Sequence, residues 1–154
     1  MIWVGFLALQ PIERHLIVDM KYSNLIGAAL VLALIVACNM DWVHIDGGRL
    51  TVSGLKATGT NFGKPGMINL IAGSIAGILF LTPFLWAKRI NLFFCAFNLA
   101  WAIRNYIIVT MCREGDCPEK QTGIYLLLIS SLLMLLVSFI PELKINQEEK
   151  DRQV

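Results

Sequence analysis

Charge is scarce in this chain. Of 154 residues only 16% are Asp, Glu, Lys or Arg, and 13 basic against 11 acidic side chains leave a net charge of +2. Such a balance excludes the basic face that a nucleic-acid backbone requires, and no basic cluster is interleaved with stacking aromatics. Histidine is limited to 2 residues, and there is no Ser/His/Asp set and no phosphate-binding glycine loop. His44, Asp46, Cys112 and Cys117 lack the tight spacing of a metal site, so no metal and no cofactor is expected. Every Asp and Glu falls in a connection, a tail or a helix end. That argues against small four-span proton-coupled exporters, which rely on an intramembrane carboxylate.

What the chain has in abundance is apolar surface. Apolar residues make up 56% of the sequence and the mean hydropathy is +0.66, beyond what a soluble domain needs to fill its core. The expected class is all-α integral membrane. Four spans are expected, at about 24–39, 67–86, 90–111 and 123–140, forming a transmembrane bundle. Residues 1–22 stand apart, because their opening apolar run is too short to span and is cut by Pro11. They are read as interfacial, or as an extension ahead of a start at Met20. Residues 23–141 form the membrane domain, and 142–154 a polar tail beyond Pro141, which is expected to stop the last helix.

Small residues mark helix contacts. Ala29, Ala33 and Ala37 repeat every four residues on the first span, and Gly73 and Gly77 form a small-xxx-small pair on the second. Ser23 or Asn24 is available as an N-cap, and Pro83 is expected to kink the second span. Ile35-Val36-Ala37-Cys38 resembles a lipoprotein lipobox, although the plain helix is the default reading. In the long first connection, Trp42–Asp46 and Arg49–Ser53 flank Gly47-Gly48, the pattern of a β-hairpin. A lone hairpin is marginal in water, so this one is expected to pack on the second connection or on a partner.

Orientation follows from basic residues. With an even number of spans, Arg14, Lys21, Lys88, Arg89, Lys144, Lys150 and Arg152 lie on one side. Arg49, Lys56, Lys64, Arg113 and Lys120 lie on the other. The shortest connection weighs most under the positive-inside rule, and it carries Lys88 and Arg89. Both termini are therefore expected in the cytoplasm. The Cys112/Cys117 loop then lies outside, where a disulfide persists.

One full charge, Arg104, sits well inside a span. It lies about seven residues from the outer helix end, roughly 10 Å at 1.5 Å per residue. Either it snorkels to the headgroups, or it is buried and paired with Asp41, Asp46 or Glu114. Asn98, Trp101 and Asn105 share a helix face beside it, and intramembrane polar clusters are functional candidates.

Three readings of function follow. The first is a non-enzymatic accessory or scaffold subunit, with the lipid bilayer and other membrane subunits or further copies of itself as partners. The second is a thiol-disulfide/quinone oxidoreductase using Cys112 and Cys117, which lacks the Cys-x-x-Cys spacing and the second pair that four-span enzymes of that kind carry. The third is an oligomeric carrier recognising an anion through Arg104, Asn98 and Asn105.

In outline, four spans with a β-like first outer loop are similar to claudin-type tetraspan proteins, but the Trp, Gly-Leu-Trp and paired-cysteine motif of that loop is missing. The run Ser53–Gly66, with Trp86-Ala-Lys-Arg89, Ala100-Trp-Ala-Ile-Arg-Asn-Tyr106 and Cys112–Lys120, resembles small bacterial four-span proteins of no assigned activity. That resemblance implies a bacterial inner-membrane setting and brings no catalytic motif.

Overall fold

The computed structural model describes residues 22–45, 50–57, 63–82, 84–112 and 117–152, with Leu85 and 141–152 as backbone alone. The Gly47-Gly48 turn, Asp46, Glu114 and residues 1–21 lie outside the described residues. Helix α1 spans Tyr22–Asn39. After it come β1 (Asp41–Ile45), β2 (Leu50–Ser53), α2 (Met67–Leu81), α3 (Leu85–Thr110), β3 (Glu119–Lys120) and α4 (Thr122–Arg152). Among the described residues, 3 helices are long and apolar enough to cross a membrane; α2, with 15 residues, falls below that length.

The helices pack around an inside-out pattern. Buried positions recur at alternating steps of three and four: Gly27, Val31, Leu34 and Cys38 on α1, and Asn69, Gly73, Ala76 and Phe80 on α2. On α3 they are Lys88, Asn91, Cys95, Asn98, Ala102, Asn105 and Val109, and on α4 Ile124, Leu127, Ser131, Met134 and Ser138. This is the seam spacing of supercoiled bundles, here filled largely by small and polar side chains. The large apolar residues point outward: Leu25 is 67% exposed, Ile78 67%, Phe93 67% and Leu136 53%.

Glycine sets the α1/α2 contact. A Cβ on Gly73 would stand 2.9 Å from Leu34, one on Gly77 3.2 Å from Val31, and one on Gly27 2.5 Å from the Phe80 ring. The α2 pair thus packs inside the chain. The alanine series on α1 divides, with Ala37 fully buried, Ala33 half-buried and Ala29 exposed. Four residues per step drift slowly around a helix of 3.6 residues per turn, so the row leaves the seam over its length.

Two proline expectations are corrected. The second helix ends at Leu81 instead of running kinked to 86, because Thr82 ahead of Pro83 is extended, at φ −80° and ψ 125°. A residue preceding proline is driven out of the helical region. The chain re-enters a helix at Leu85, so Ala87, Lys88 and Arg89 form the start of α3 and not the turn before it. Pro141, conversely, does not stop α4, which continues to Arg152. A proline inside a helix leaves the carbonyl four residues earlier without its donor. Here that carbonyl is Val137's, and the buried Ser23 hydroxyl of α1 donates to it at 3.1 Å. Ser23 therefore bonds across to α4 rather than capping its own helix.

At one end of the bundle lies an antiparallel sheet of 3 strands in the order β2-β1-β3. The hairpin pairs Val43 with Val52, His44 with Thr51 and Ile45 with Leu50. The other edge of β1 is taken by β3, through Val43 with Lys120 and His44 with Glu119, so the hairpin packs on the second connection. The register slips between Asp41 and Val43, a bulge that redirects a side chain. Trp42, at the bulge, is fully buried, and its indole donates to Ala37 O at 2.8 Å. That carbonyl belongs to the last turn of α1, where helix geometry leaves acceptors open.

Candidate functional site

A chain of hydrogen bonds joins three helices inside the bundle. Asn69 on α2 donates through Nδ2 to Asn98 Oδ1 at 2.9 Å and to Asn98 O at 3.0 Å. Asn98 Nδ2 in turn donates to Ser131 Oγ on α4 at 3.1 Å. Toward the sheet end, Asn105 Nδ2 donates to Asn69 Oδ1 and to Pro65 O, each at 2.8 Å. Asn69, Asn98 and Ser131 are fully enclosed or nearly so. Buried amides without partners are expensive, so these groups fix helix register by satisfying one another.

A second polar clamp closes the opposite end. Lys88 is only 5% exposed. Its ammonium donates to Asn24 Oδ1 and, at 3.0 Å, to Phe80 O. Phe80 O is among the last carbonyls of α2, where a cation meets the negative end of the helix dipole. One side chain from α3 thereby ties α1 and α2. Arg89 beside it is exposed.

Arg104 stands outside the asparagine chain. Its side chain is exposed and its guanidinium lies 4.6 Å from the centroid of the Trp101 ring. Of its expected carboxylate partners, Asp41 faces His44 at 3.8 Å, and Asp46 and Glu114 lie outside the described residues. Thus Asn98 and Asn105 are interior and Trp101 half-buried, while Arg104 is at the surface. Trp101 has a buried indole N–H with no acceptor among the described residues. Lys64, Pro65, Ile68, Trp101, Arg104, Asn105, Ile108 and Val109 line a cavity of about 290 Å³ that opens to the surface.

Cys112 and Cys117 form a disulfide, with Cα atoms 4.3 Å apart. It closes the loop that leads from α3 to β3. The free thiols are separate from it and buried: Cys38 Sγ lies 3.8 Å from Gly66 O, and Cys95 Sγ 3.7 Å from Asn91 Oδ1. In the intact chain Cys38 is 0% exposed. Among the described residues no cluster of His, Cys, Asp and Glu is placed to hold a metal ion.

Asn69, Asn91, Lys88 and Asn24 are the participants that sequence reasoning missed. A signal existed for part of this, because Asn91, Asn98 and Asn105 repeat every seven residues. Placing the start of the third helix at Ile90 hid that repeat by setting Asn91 at a helix end. Comparison with protein-family models, with curated proteins and with solved structures finds no match.

Proposed function

We propose that this chain is an integral four-helix protein of the bacterial inner membrane, with both termini cytoplasmic, the sheet and disulfide outside, and a non-enzymatic role as accessory or scaffold subunit. The setting is supported by the outward-facing leucine, isoleucine and phenylalanine side chains on every helix. In water such a surface would drive association, whereas in hydrocarbon it is the favoured arrangement. Helix α2, at 15 residues, reaches about 22 Å at 1.5 Å per residue. It crosses the apolar layer with the Pro65–Gly66 turn at its entry and the extended Thr82 and Phe84 at its exit.

The observation that carries the structural role is the closed chain Asn105–Asn69–Asn98–Ser131. Its amides are directed at one another across three helices, which suits a fixed bundle more than a polar path that must open and close. In mild detergent the wild-type protein is expected to elute as a stable assembly larger than the monomer. Elution as a monomer from native membranes, under conditions that preserve other complexes, overturns the scaffold reading.

The carrier reading has one specific observation in its favour, the cavity lined by both Lys64 and Arg104. That cavity lies at the sheet end of the bundle and not midway along it. Anion flux into protein-containing liposomes, absent from protein-free ones, would replace the scaffold reading by a carrier.

A further inference from the structure

We infer that the cavity between the start of α2 and the outer third of α3 binds a phosphate group, carried on a lipid headgroup or free in solution. The inference rests on the membrane setting proposed above only for the lipid source. Four features of the site converge. Two cationic side chains, Lys64 and Arg104, line one cavity of about 290 Å³, and no carboxylate is among its lining residues. Neither cation forms an ion pair with an acidic side chain among the described residues. Like charges gathered around one space repel each other, and an anion between them removes that cost.

Helix α2 begins at the same place. Pro65 and Ile68 line the cavity on either side of its N-cap, Gly66. The first turn of α2 holds no acidic residue and Gly66 supplies no capping side chain. The positive end of a helix of 15 residues therefore faces this region without a built-in counter-charge.

The guanidinium is also held ready for a bidentate acceptor. Arg104 lies over the Trp101 ring at 4.6 Å, which holds the guanidinium fork in one plane and leaves its N–H edge for a bidentate contact. Asn105 is fixed from behind by Pro65 O and Asn69 Oδ1, so the floor of the cavity is held by the interior chain. A phosphate between Lys64 and Arg104 supplies acceptors for these two exposed cations.

The flanks are apolar. Ile68 is 37% exposed, Ile71 51%, and Ile103 and Ile107, on either side of Arg104 in sequence, 45% and 51%. A cationic cavity within such flanks suits an anionic head attached to acyl chains, and it admits free phosphate by the same contacts.

The test uses the full chain, purified in a phosphate-free maltoside detergent. Native mass spectrometry reads retention of dioleoyl phosphatidic acid against dioleoylglycerol, which has the same chains and no phosphate. Calorimetric titration with inorganic phosphate forms the second arm. Wild type is expected to retain phosphatidic acid in preference to dioleoylglycerol. Arg104→Gln and Lys64→Gln are each expected to weaken that retention on the order of tenfold or more, and Arg104→Lys to fall between. Lys56→Gln, which removes an exposed charge outside the cavity, is expected to match wild type. Lys64 and Arg104 are both exposed, so each variant folds, as circular dichroism checks.

Selective loss with phosphatidic acid alone assigns a lipid source, and the same loss with inorganic phosphate assigns a free anion. Equal binding by all variants, no preference over dioleoylglycerol in the absence of phosphate binding, or loss in Lys56→Gln equal to that in Arg104→Gln overturns the site. None of these results alters the elution of the assembly, on which the scaffold reading stands or falls separately.

Discussion

Ser23→Ala and Pro141→Ala, made singly and together, test how α4 continues through a proline. Val137 O has no main-chain donor, because residue 141 carries no N–H, and the Ser23 hydroxyl occupies it at 3.1 Å. Removing the hydroxyl leaves a part-buried carbonyl without its donor, a cost of up to about 1–3 kcal/mol. Interhelical hydrogen bonds in membranes average nearer ~0.6 kcal/mol, since alternative partners are found in the unfolded reference. In the folded bundle Pro141 removes the nearest alternative, and Ser23 itself is buried at 3% exposure, so the expected loss is about 1–2 kcal/mol. In the Pro141→Ala background the main-chain N–H returns to Val137 O, and Ser23→Ala should cost less than about 0.5 kcal/mol. Reversible unfolding of the four proteins in mixed micelles, followed by circular dichroism, gives the coupling directly. An equal penalty for Ser23→Ala in both backgrounds refutes the substitution of hydroxyl for amide, and so does a neutral Ser23→Ala.

The remaining predictions concern the interior and the cap. Asn69 takes part in three of the chain's contacts, to Asn98 O, Asn98 Oδ1 and from Asn105, whereas the Asn98 side chain joins only Asn69 and Ser131. Asn69→Leu should therefore destabilise more than Asn98→Leu, by roughly 1 kcal/mol, in the same unfolding assay. Gly123→Ala would bring a Cβ to 2.5 Å from Asp41 O, a main-chain atom, while Gly77→Ala meets the Val31 side chain at 3.2 Å. The first should cost about 1–3 kcal/mol and the second much less, with thermal denaturation of the detergent-solubilised protein as the readout. Cys112 and Cys117 are separated by 5 positions, so replacing both with serine should lower stability by about 2 kcal/mol through loop entropy. A membrane-impermeant maleimide should label these cysteines in spheroplasts only after reduction; labelling only after lysis would invert the proposed orientation.

Much of the architecture was legible in the sequence because it rests on local composition. Four apolar runs give four helices, and alternating residues about a Gly-Gly pair give paired strands. The bilayer-length apolar stretches state a solvent preference regardless of how they pack. Proline was misread in both directions. At Thr82–Pro83 local sterics decided, and the helix ended. At Pro141 the missing donor was replaced from α1, a contact 114 positions away that no local rule contains.

The candidate site divides along the same line. Asn98, Trp101, Arg104 and Asn105 were recognisable because polar groups in an apolar run are costly and therefore conspicuous. Their roles were not. Helix rotation turned Asn98 and Asn105 into the seam and left Arg104 outside, and only the packed bundle brought in Asn69 and Ser131 as partners. Lys88 looked like a surface charge in a short turn, yet the early start of α3 placed it one turn inside a helix facing the end of α2. Glycine at 73 and 77 announced a close contact, but whether it lay within the chain depended on Leu34 and Val31 filling it. Sequence by itself determined which segments are apolar and where charge is rare. Tertiary structure alone decided which polar groups meet, because burial removes water as their alternative partner and the geometry of neighbouring helices selects the replacement.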